Sequence, residues 1–251
     1  MERINAIIEA RMGSSRLPGK TMMEIVGKPS IALLIERLRY ARKISNIVMA
    51  TTVNKEDDII AEFCLGFGVK CFRGSSEDVL GRVYHAAREH RTDIVVEVTG
   101  DCTLLDPWLI DECVEMFLRS DYDYLSNFIV QSYPPGIDVQ IFTFTALERM
   151  HREAKAEKFR EHVTLYILKN PELFKMHNVY APPELHYPDW HLELDEYADY
   201  ELIKAIYEHL YPKNPAFTTM DIIGLLKEHP EWLELNRQVK RTWEQARAET
   251  Q

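Results

Sequence analysis

The sequence has few of the features that mark membrane proteins or nucleic-acid-binding proteins. No apolar run in its 251 residues approaches the roughly 20 residues that are needed to span a bilayer. The N-terminus has no signal-peptide pattern, and the formal net charge of −10 provides no basic field for nucleic acid or for an anionic membrane surface. We therefore expect a cytoplasmic protein with no nucleic-acid and no membrane partner.

Cysteine is also scarce. The four cysteines, Cys64, Cys71, Cys102 and Cys113, form no Cys-x-x-Cys pair and lie in apolar or helical surroundings. This pattern is typical of buried thiols and argues against a zinc site.

Internal repeats, low-complexity tracts and linkers are absent as well. We expect one main domain over residues 1–215, followed by a C-terminal helical extension over residues 216–251 that is broken at Pro230. Residues 122–185 are expected to form an excursion that covers the acceptor substrate and contributes to a dimer interface.

The two common phosphate-binding signatures, Gly-x-x-x-x-Gly-Lys-Ser/Thr and Gly-x-Gly-x-x-Gly, do not occur. A different loop is present at residues 10–20, Ala-Arg-Met-Gly-Ser-Ser-Arg-Leu-Pro-Gly-Lys, directly after an apolar run from Ile4 to Ile8. A loop at the end of the first strand lies where open α/β sheets bind their ligands. Its glycines allow close backbone approach, and Arg11, Arg16 and Lys20 add cationic donors for phosphate oxygens. We interpret it as the site of a nucleotide phosphate chain rather than as a solvated turn.

Strand-like and helix-like segments alternate through the first half of the chain. Residues 46–52 and 94–99 are apolar runs typical of buried strands, and amphipathic segments with helical spacing lie between such runs. The alternation predicts an α/β fold with a Rossmann-like, mostly parallel mixed sheet flanked by helices. The functional loops are then expected at the C-terminal ends of the strands.

Asp101 follows the second of these runs, after a glycine. It could cap the next helix, but Asp106 is better placed for that role because Pro107 suits a first helical position. Asp101 is therefore expected at the ligand edge of the sheet, where one or two carboxylates together with substrate phosphates commonly hold magnesium.

A late strand is predicted from Trp190 to Leu194, and Asp195 follows it. His186, His191 and Asp195 match no zinc spacing, so we interpret Asp195 alone as a second oxygen ligand beside Asp101.

The second half of the chain holds the candidate acceptor residues. Strands are predicted over residues 122–128 and 139–144, and the Pro134-Pro135-Gly136 turn between them leads to Asp138, where a substrate hydroxyl could be held. Residues 160–164 are expected to open a helix. His162 in that segment is either a surface residue or a substrate ligand.

Several of these motifs, in this order, resemble the cytidylyltransferases that make CMP-activated sugars. The similarity is greatest to the spore-coat polysaccharide branch, a relative of the acylneuraminate and Kdo synthetases. The matching segments are residues 10–20, 50–52, 72–75, 78–80, 99–102, 135–139, 160–164, 194–195, 199–202 and 229–236. Two departures occur: Thr103 stands where the family often has Pro, and residues 195–199 read Asp-Glu-Tyr-Ala-Asp instead of Asp-Thr-Pro-Glu-Asp.

The resemblance implies a nucleotide-diphosphosugar transferase fold, usually dimeric, with CTP as co-substrate and Mg²⁺ as cofactor. It implies that the metal is held by Asp101 and Asp195, and that catalysis depends on Arg11, Arg16, Lys20 and Asp101. The nucleotide would be bound by Ala10, Arg11, Gly13, Ser14, Ser15, Arg16, Lys20, Thr51, Thr52, Arg73, Gly74 and Ser75. The acceptor would be faced by Pro135, Gly136, Asp138, Glu161 and His162.

The expected activity is transfer of CMP from CTP to a small-molecule acceptor, a sugar acid or a similar compound, with release of pyrophosphate. Such a reaction would serve cell-surface, capsule or spore polysaccharide biosynthesis. A glycosyltransferase of the same fold is the first alternative, and it would need a metal-binding Asp-x-Asp at a strand end. The chain has Asp121-Tyr122-Asp123, but it precedes its predicted strand. A non-catalytic nucleotide-binding protein is the second alternative, and two candidate metal carboxylates beside a cationic loop argue against it.

Overall fold

The structure, a computed structural model, describes residues 2–241. Residues 242–251 of the predicted C-terminal extension lie outside the described residues. The strands are β1 (Ile4–Glu9), β2 (Glu24–Ile25), β3 (Lys28–Pro29), β4 (Asn46–Thr52), β5 (Lys70–Gly74), β6 (Ile94–Thr99), β7 (Tyr124–Ser126), β8 (Gln140–Thr143) and β9 (Met176–Asn178). The α-helices are α1 (Ser30–Leu38), α2 (Asp58–Phe67), α3 (Val79–Glu89), α4 (Pro107–Leu118), α5 (Phe144–Glu153), α6 (Glu157–Glu161), α7 (Leu165–Lys169), α8 (Tyr197–Leu210) and α9 (Thr219–Glu228).

Seven of the strands form one mixed sheet in the order β5-β4-β1-β6-β8-β7-β9, and β2 pairs with β3 in a separate hairpin. Strand β8 runs antiparallel to both of its neighbours, and the other neighbouring pairs of the large sheet are parallel. The predicted fold class, a mostly parallel mixed sheet flanked by helices, is confirmed.

The strand order reverses between β1 and β6. The chain proceeds from β1 outward to β4 and β5 and then returns to place β6 on the other side of β1. Glu9 and Thr99 are paired in the register, so the two strands end side by side. Open α/β sheets bind their ligands at such a reversal, outside the carboxyl ends of the strands. The loops after β1 and β6 are therefore the two that meet there.

Alternating side chains of the strands build one core on each face of the sheet. Ile8 and Val96 belong to the core covered by α1, α4, α8 and α9, whereas Ile7 and Val95 belong to the core covered by α3 and α5. Since side chains alternate along a strand, Glu97 lies on the same face as Val95. The described part of the predicted extension packs into the first of these cores. None of the described helices combines the length and the apolar character that crossing a membrane requires.

The cap predicted for α4 is confirmed. The Asp106 carboxylate accepts hydrogen bonds from the backbone N–H groups of Trp108 (3.0 Å) and Leu109 (3.4 Å), and Pro107 is the first residue of the helix. Asp101 is thus not required as the cap of this helix.

Two local predictions are wrong. Residues 190–194 form no strand, because their backbone bonds go to two loops: Leu192 N–H donates to Pro135 O (2.8 Å), and Leu194 N–H donates to Asp101 O (3.1 Å). The start of the helix predicted at residues 160–164 is also wrong, because α7 begins only at Leu165, although it does end before Pro171. Helix α6 ends at Glu161, and His162 has extended backbone at its C-terminal end.

Candidate active site

A cleft of about 630 Å³ opens at the C-terminal ends of β1 and β6, at the reversal of the strand order. Its walls come from the loop after β1, the loop after β6, the α6–α7 segment and the chain before α8. The predicted site residues that line it are Ala10, Arg11, Ser14, Ser15, Arg16, Lys20, Asp101, Asp138, Glu161, His162 and Asp195. Segments that are far apart in sequence therefore meet at one crevice.

The Lys20 ammonium group lies between the two predicted metal carboxylates. Its Nζ is 2.8 Å from Asp101 Oδ2 and 2.9 Å from Asp195 Oδ1, and Arg16 Nη2 is 2.8 Å from Asp195 Oδ2. Burial acts against the charged form of Lys20, but Asp101 and Asp195 outweigh it and raise the pKa of the amine. Burial likewise acts against the charged form of Asp101, and Lys20 outweighs it and lowers the pKa of the carboxyl. Lys20 and Asp101 are therefore both charged at neutral pH.

The donor set around Lys20 fits a hard divalent cation. Two carboxylates from different loops aim an oxygen at the same point, where a positive charge already lies, and Mg²⁺ prefers oxygen ligands of this kind. Within residues 2–241 no group of three or more His, Cys, Asp or Glu side chains is arranged to hold a metal ion. An ion held by Asp101 and Asp195 would thus need further oxygen ligands from a bound phosphate.

Glu9, Glu97 and Glu193 also line the cleft, and sequence reasoning missed them. Glu97 Oε2 accepts a hydrogen bond from Gln140 Nε2 (2.7 Å), and burial raises the pKa of this carboxyl well above its usual value. Burial also raises the pKa of Glu9 and that of Glu193. A signal for Glu97 was present, because it is the one charged residue in the apolar run Ile94–Thr99.

Asp138 faces the cleft from the end of the Pro134–Ile137 turn. Its Oδ2 accepts a hydrogen bond from Gly136 N–H (3.2 Å), and burial, reinforced by Glu193, raises the pKa of the carboxyl to about 7. Its other oxygen, Oδ1, is buried and has no hydrogen-bond partner among the described residues. Asp138 thus lines the cleft with a carboxyl group that is held by the Gly136 backbone.

Pro135 and Gly136 do not line the cleft but support the chain that leads to Asp195. Gly136 has φ +96°, and a Cβ there would lie 2.5 Å from the carbonyl carbon of Leu192. Pro135 O accepts the Leu192 N–H bond. The turn therefore packs directly against the segment before Asp195.

Six predicted nucleotide-binding residues do not line the cleft: Gly13, Thr51, Thr52, Arg73, Gly74 and Ser75. Thr51 and Thr52 are fully buried at the end of β4. Arg73 pairs with Asp58 at 2.7 Å and donates to Thr52 O at 2.8 Å. The structure therefore brings together the phosphate loop, the metal carboxylates and part of the acceptor set, whereas these six side-chain positions lie outside the lining of the cleft.

The Asp-x-Asp sequence at residues 121–123 lies away from the cleft. Asp121 forms an ion pair with Lys175, and Asp123 Oδ2 accepts a hydrogen bond from the Lys175 backbone N–H at 2.9 Å. Neither carboxylate lines the cleft, so this sequence supplies no metal site for a glycosyltransferase there.

A family model described as cytidylyltransferase matches residues 5–245 of the chain. The chain is 37% identical over 240 residues to an uncharacterized protein from Methanocaldococcus jannaschii, covering 95% of this chain and 96% of the relative. It is 33% identical over 238 residues to the spore coat polysaccharide biosynthesis protein SpsF from Bacillus subtilis, covering 92% of this chain and 97% of SpsF.

A solved structure is similar along nearly the whole chain. It is that of a cytidylyltransferase from Leptospira borgpetersenii, which is 30% identical in sequence and superposes with a TM-score of 0.89. The match covers 96% of this chain and 100% of that chain.

Proposed function

The chain belongs to the cytidylyltransferase family and is a nucleotidyltransferase, and we propose that its cleft transfers CMP from CTP to a small-molecule acceptor with release of pyrophosphate. The observation that carries this proposal is the meeting of Lys20 with Asp101 and Asp195 at the strand-order reversal. A cationic loop beside two oxygen donors provides what a triphosphate and its metal ion need.

In the proposed reaction an acceptor oxygen attacks the α-phosphorus of CTP in line. A new P–O bond forms while the bond to the β-phosphate oxygen breaks; pyrophosphate carries the electron pair away, and the proton of the acceptor hydroxyl passes to water. Such a step depends on positioning and charge neutralisation more than on covalent chemistry by the protein. Arg11, Arg16 and Lys20 bind the phosphate oxygens and stabilise the leaving pyrophosphate. Mg²⁺, held by Asp101 and Asp195, would supply further charge neutralisation and polarise the phosphoryl group when bound.

The acceptor is proposed to be a sugar acid or a similar hydroxyl-bearing compound. Asp138 and the exposed Glu161 and His162 lie in the same cleft as the phosphate loop. Their carboxyl and imidazole groups can accept hydrogen bonds from substrate hydroxyls. Similarity to SpsF along nearly the whole chain supports a role in polysaccharide biosynthesis.

We further propose a cytoplasmic homodimer that forms through residues 122–185. Val130 and Tyr180, which belong to this segment, are 49% and 62% exposed. Light scattering coupled to size-exclusion chromatography checks this, and a monomeric mass would contradict it.

The test of the reaction is pyrophosphate release with CTP, Mg²⁺ and a panel of acceptors that contains Kdo, N-acetylneuraminate and a phosphonate. We expect release that depends on both CTP and one acceptor, with ATP, GTP and UTP as matched nucleotide controls. If no acceptor gives pyrophosphate while a CMP-sugar or UDP-sugar is consumed, the protein is a glycosyltransferase. Binding of CTP without any turnover would leave only nucleotide binding.

A further inference from the structure

The chain segment that carries Glu161 and His162 is fixed by one polar anchor on each side. Both residues are exposed at the cleft, between Arg160 and Thr164. No residue of the short helix α6 is buried, but its Phe159 packs against the core beneath α3 and α5, and Val163 belongs to that core. Apolar contacts thus hold the segment on the core, and the flanking polar side chains, Arg160 and Thr164, fix its direction relative to the cleft.

Arg160 forms the first anchor. Its Nη2 donates to Asp78 Oδ2 at 2.6 Å and lies 3.0 Å from His151 Nδ1, and its Nη1 donates to His151 O at 3.0 Å. The two side chains of the ion pair are 17% and 37% exposed, so the contact is partly shielded from solvent. Arg160 thereby joins α6 to the loop before α3 and to the last turn of α5.

The loop that carries Asp78 also contacts the phosphate loop. Arg11 Nη1 donates to Ser76 O at 3.0 Å, two residues before Asp78. Asp78 Oδ1 accepts a hydrogen bond from Gly81 N–H at 2.7 Å and so caps α3. One short, helix-capped loop is thus bonded to the nucleotide side through Ser76 and to the acceptor side through Asp78.

Thr164 forms the second anchor. Its Oγ1 donates to Gln140 Oε1 at 2.7 Å, and Gln140 Nε2 donates to Glu97 Oε2 at 2.7 Å. The three groups are buried, and Glu97 and Gln140 lie on β6 and β8. The C-terminal end of the segment is therefore attached to the sheet through Thr164, and Arg160 supplies the charged contact of its N-terminal end.

We propose that Asp78 and Arg160 are positioning residues that set the acceptor-facing segment, residues 157–164, against the phosphate loop. The proposal rests on the proposed function and deepens it, because it names the contact that aligns the acceptor with CTP. Neither residue lines the reacting part of the cleft as Lys20 and Asp101 do; each acts through Glu161 and His162.

The test uses Asp78→Asn and Arg160→Gln in the full chain. Asn caps helices about as well as Asp, so Asp78→Asn keeps the cap of α3 and removes the charge of the pair. We expect each variant to raise KM for the reacting sugar acid about tenfold and to leave KM for CTP within about twofold. The double variant should be no worse than either single variant because both remove the same contact. Arg160→Lys, which retains the charge, should recover part of the loss.

The control is Arg152→Gln on α5, which removes an exposed arginine paired with Glu153 and should change neither KM. Amide hydrogen exchange of the protein alone should become faster in residues 157–164 of both test variants and stay unchanged in α3. Equal increases in both KM values, additive losses in the double variant or unchanged exchange in residues 157–164 would each overturn the proposal. If the wild-type protein releases no pyrophosphate with any acceptor, the proposed function fails, and the exchange data alone decide whether the ion pair fixes the segment.

Discussion

Lys20 is the residue at which the charges of the cleft meet. It contacts Asp101 and Asp195, and its side chain is 14% exposed. Removing one member of a buried ion cluster leaves the others uncompensated, which is costly. Lys20→Ala should therefore lower turnover at least about 100-fold and lower the melting temperature as well.

Pyrophosphate release and calorimetry measure the two effects of Lys20→Ala. The matched control is Lys43→Ala, an exposed lysine after α1, for which neither quantity should change. Addition of MgCl₂ should restore part of the melting temperature of Lys20→Ala, because a divalent ion can replace the lost charge between the carboxylates. Turnover at the wild-type rate would contradict the assigned role of Lys20.

The raised pKa of Asp138 makes the folded protein less stable as the pH rises. Its pKa is about 7 in the folded protein, through burial and the neighbouring Glu193, and about 4 in an unfolded chain. The folded state therefore holds the proton between about pH 4 and pH 7 while the unfolded state loses it, so stability falls as pH rises through that window. Above about pH 7 the whole cost is present.

Asp138→Asn removes this cost. We expect the variant to exceed the wild-type melting temperature by several degrees at pH 8 and by little at pH 4.5, as thermal unfolding in EDTA measures. A difference that is the same at both pH values would show that Asp138 does not titrate in this window.

The location of an individual residue in the fold could be predicted where the neighbouring sequence shows a strand and its end. Arg16, Lys20 and Asp101 follow buried strands, and the end of such a strand can be predicted from the point where an apolar run stops. Glu97 was missed because an isolated carboxylate in such a run has no local cue for its partner, Gln140, which lies 43 residues later. Thr51 and Thr52 were placed at the nucleotide by resemblance, and the structure buries both at the end of β4.

At the scale of elements, the segment before Asp195 shows where strand prediction fails. Residues 190–194 have the composition of a strand, but their partners are the Pro135 and Asp101 carbonyls rather than a neighbouring strand. Composition can indicate that a segment is extended and buried. A β-strand also needs a neighbouring strand to pair with, and only the fold decides whether one is there. The hydrogen bond between Leu192 and the Pro135 turn joins residues that are far apart in sequence, so the local sequence does not predict it.

Gly136→Ala tests whether this turn sets the position of Asp195. The backbone has φ +96° and an added Cβ would lie 2.5 Å from Leu192 C, so the substitution combines strain with a backbone clash. We expect a loss of about 2 kcal/mol or more in the free energy of unfolding, with lower turnover in the protein that still folds.

The matched control for that substitution is Gly224→Ala in α9, where an added Cβ meets nothing within 4 Å. It should be neutral or should stabilise by roughly 0.5–1 kcal/mol, since Ala favours helix interiors over Gly. Chemical denaturation measures both variants, and equal free energies of unfolding for the two would contradict the role of the turn.

At the scale of the whole molecule, the alternation of strands and helices was enough to predict the sheet but not its order. Parallel strands need crossover connections, and amphipathic helices of the right length lie between β1, β4, β5 and β6. The antiparallel insertion of β8 and the reversal beside β1 depend on which edge each strand joins, and no local pattern encodes that choice. The cleft was nonetheless predictable in outline, because its main loops are the ones that follow β1 and β6.

The charge of the assembled cleft predicts that metal ion and nucleotide bind together. Seven carboxyl groups line it, against the three cations of the phosphate loop: Glu9, Glu97, Asp101, Asp138, Glu161, Glu193 and Asp195. A free triphosphate would be repelled by the carboxylates of Asp101 and Asp195, whereas Mg²⁺ lowers the repulsion and in turn gains phosphate oxygens as ligands. Each ligand should therefore raise the affinity for the other by the same factor.

Thermal unfolding with CTP alone, MgCl₂ alone and both together measures that coupling. Saturation at about 100 times Kd stabilises by about 2.7 kcal/mol, so the pair should raise the melting temperature of this 251-residue chain by roughly 5–10 °C. Either ligand alone should give a much smaller shift. ATP with MgCl₂ is the matched control, because it offers the same triphosphate with a different base. An equal shift with ATP would mean that the cleft reads only the phosphates, and an equal shift with CTP in EDTA would mean that Asp101 and Asp195 hold no metal ion for the nucleotide.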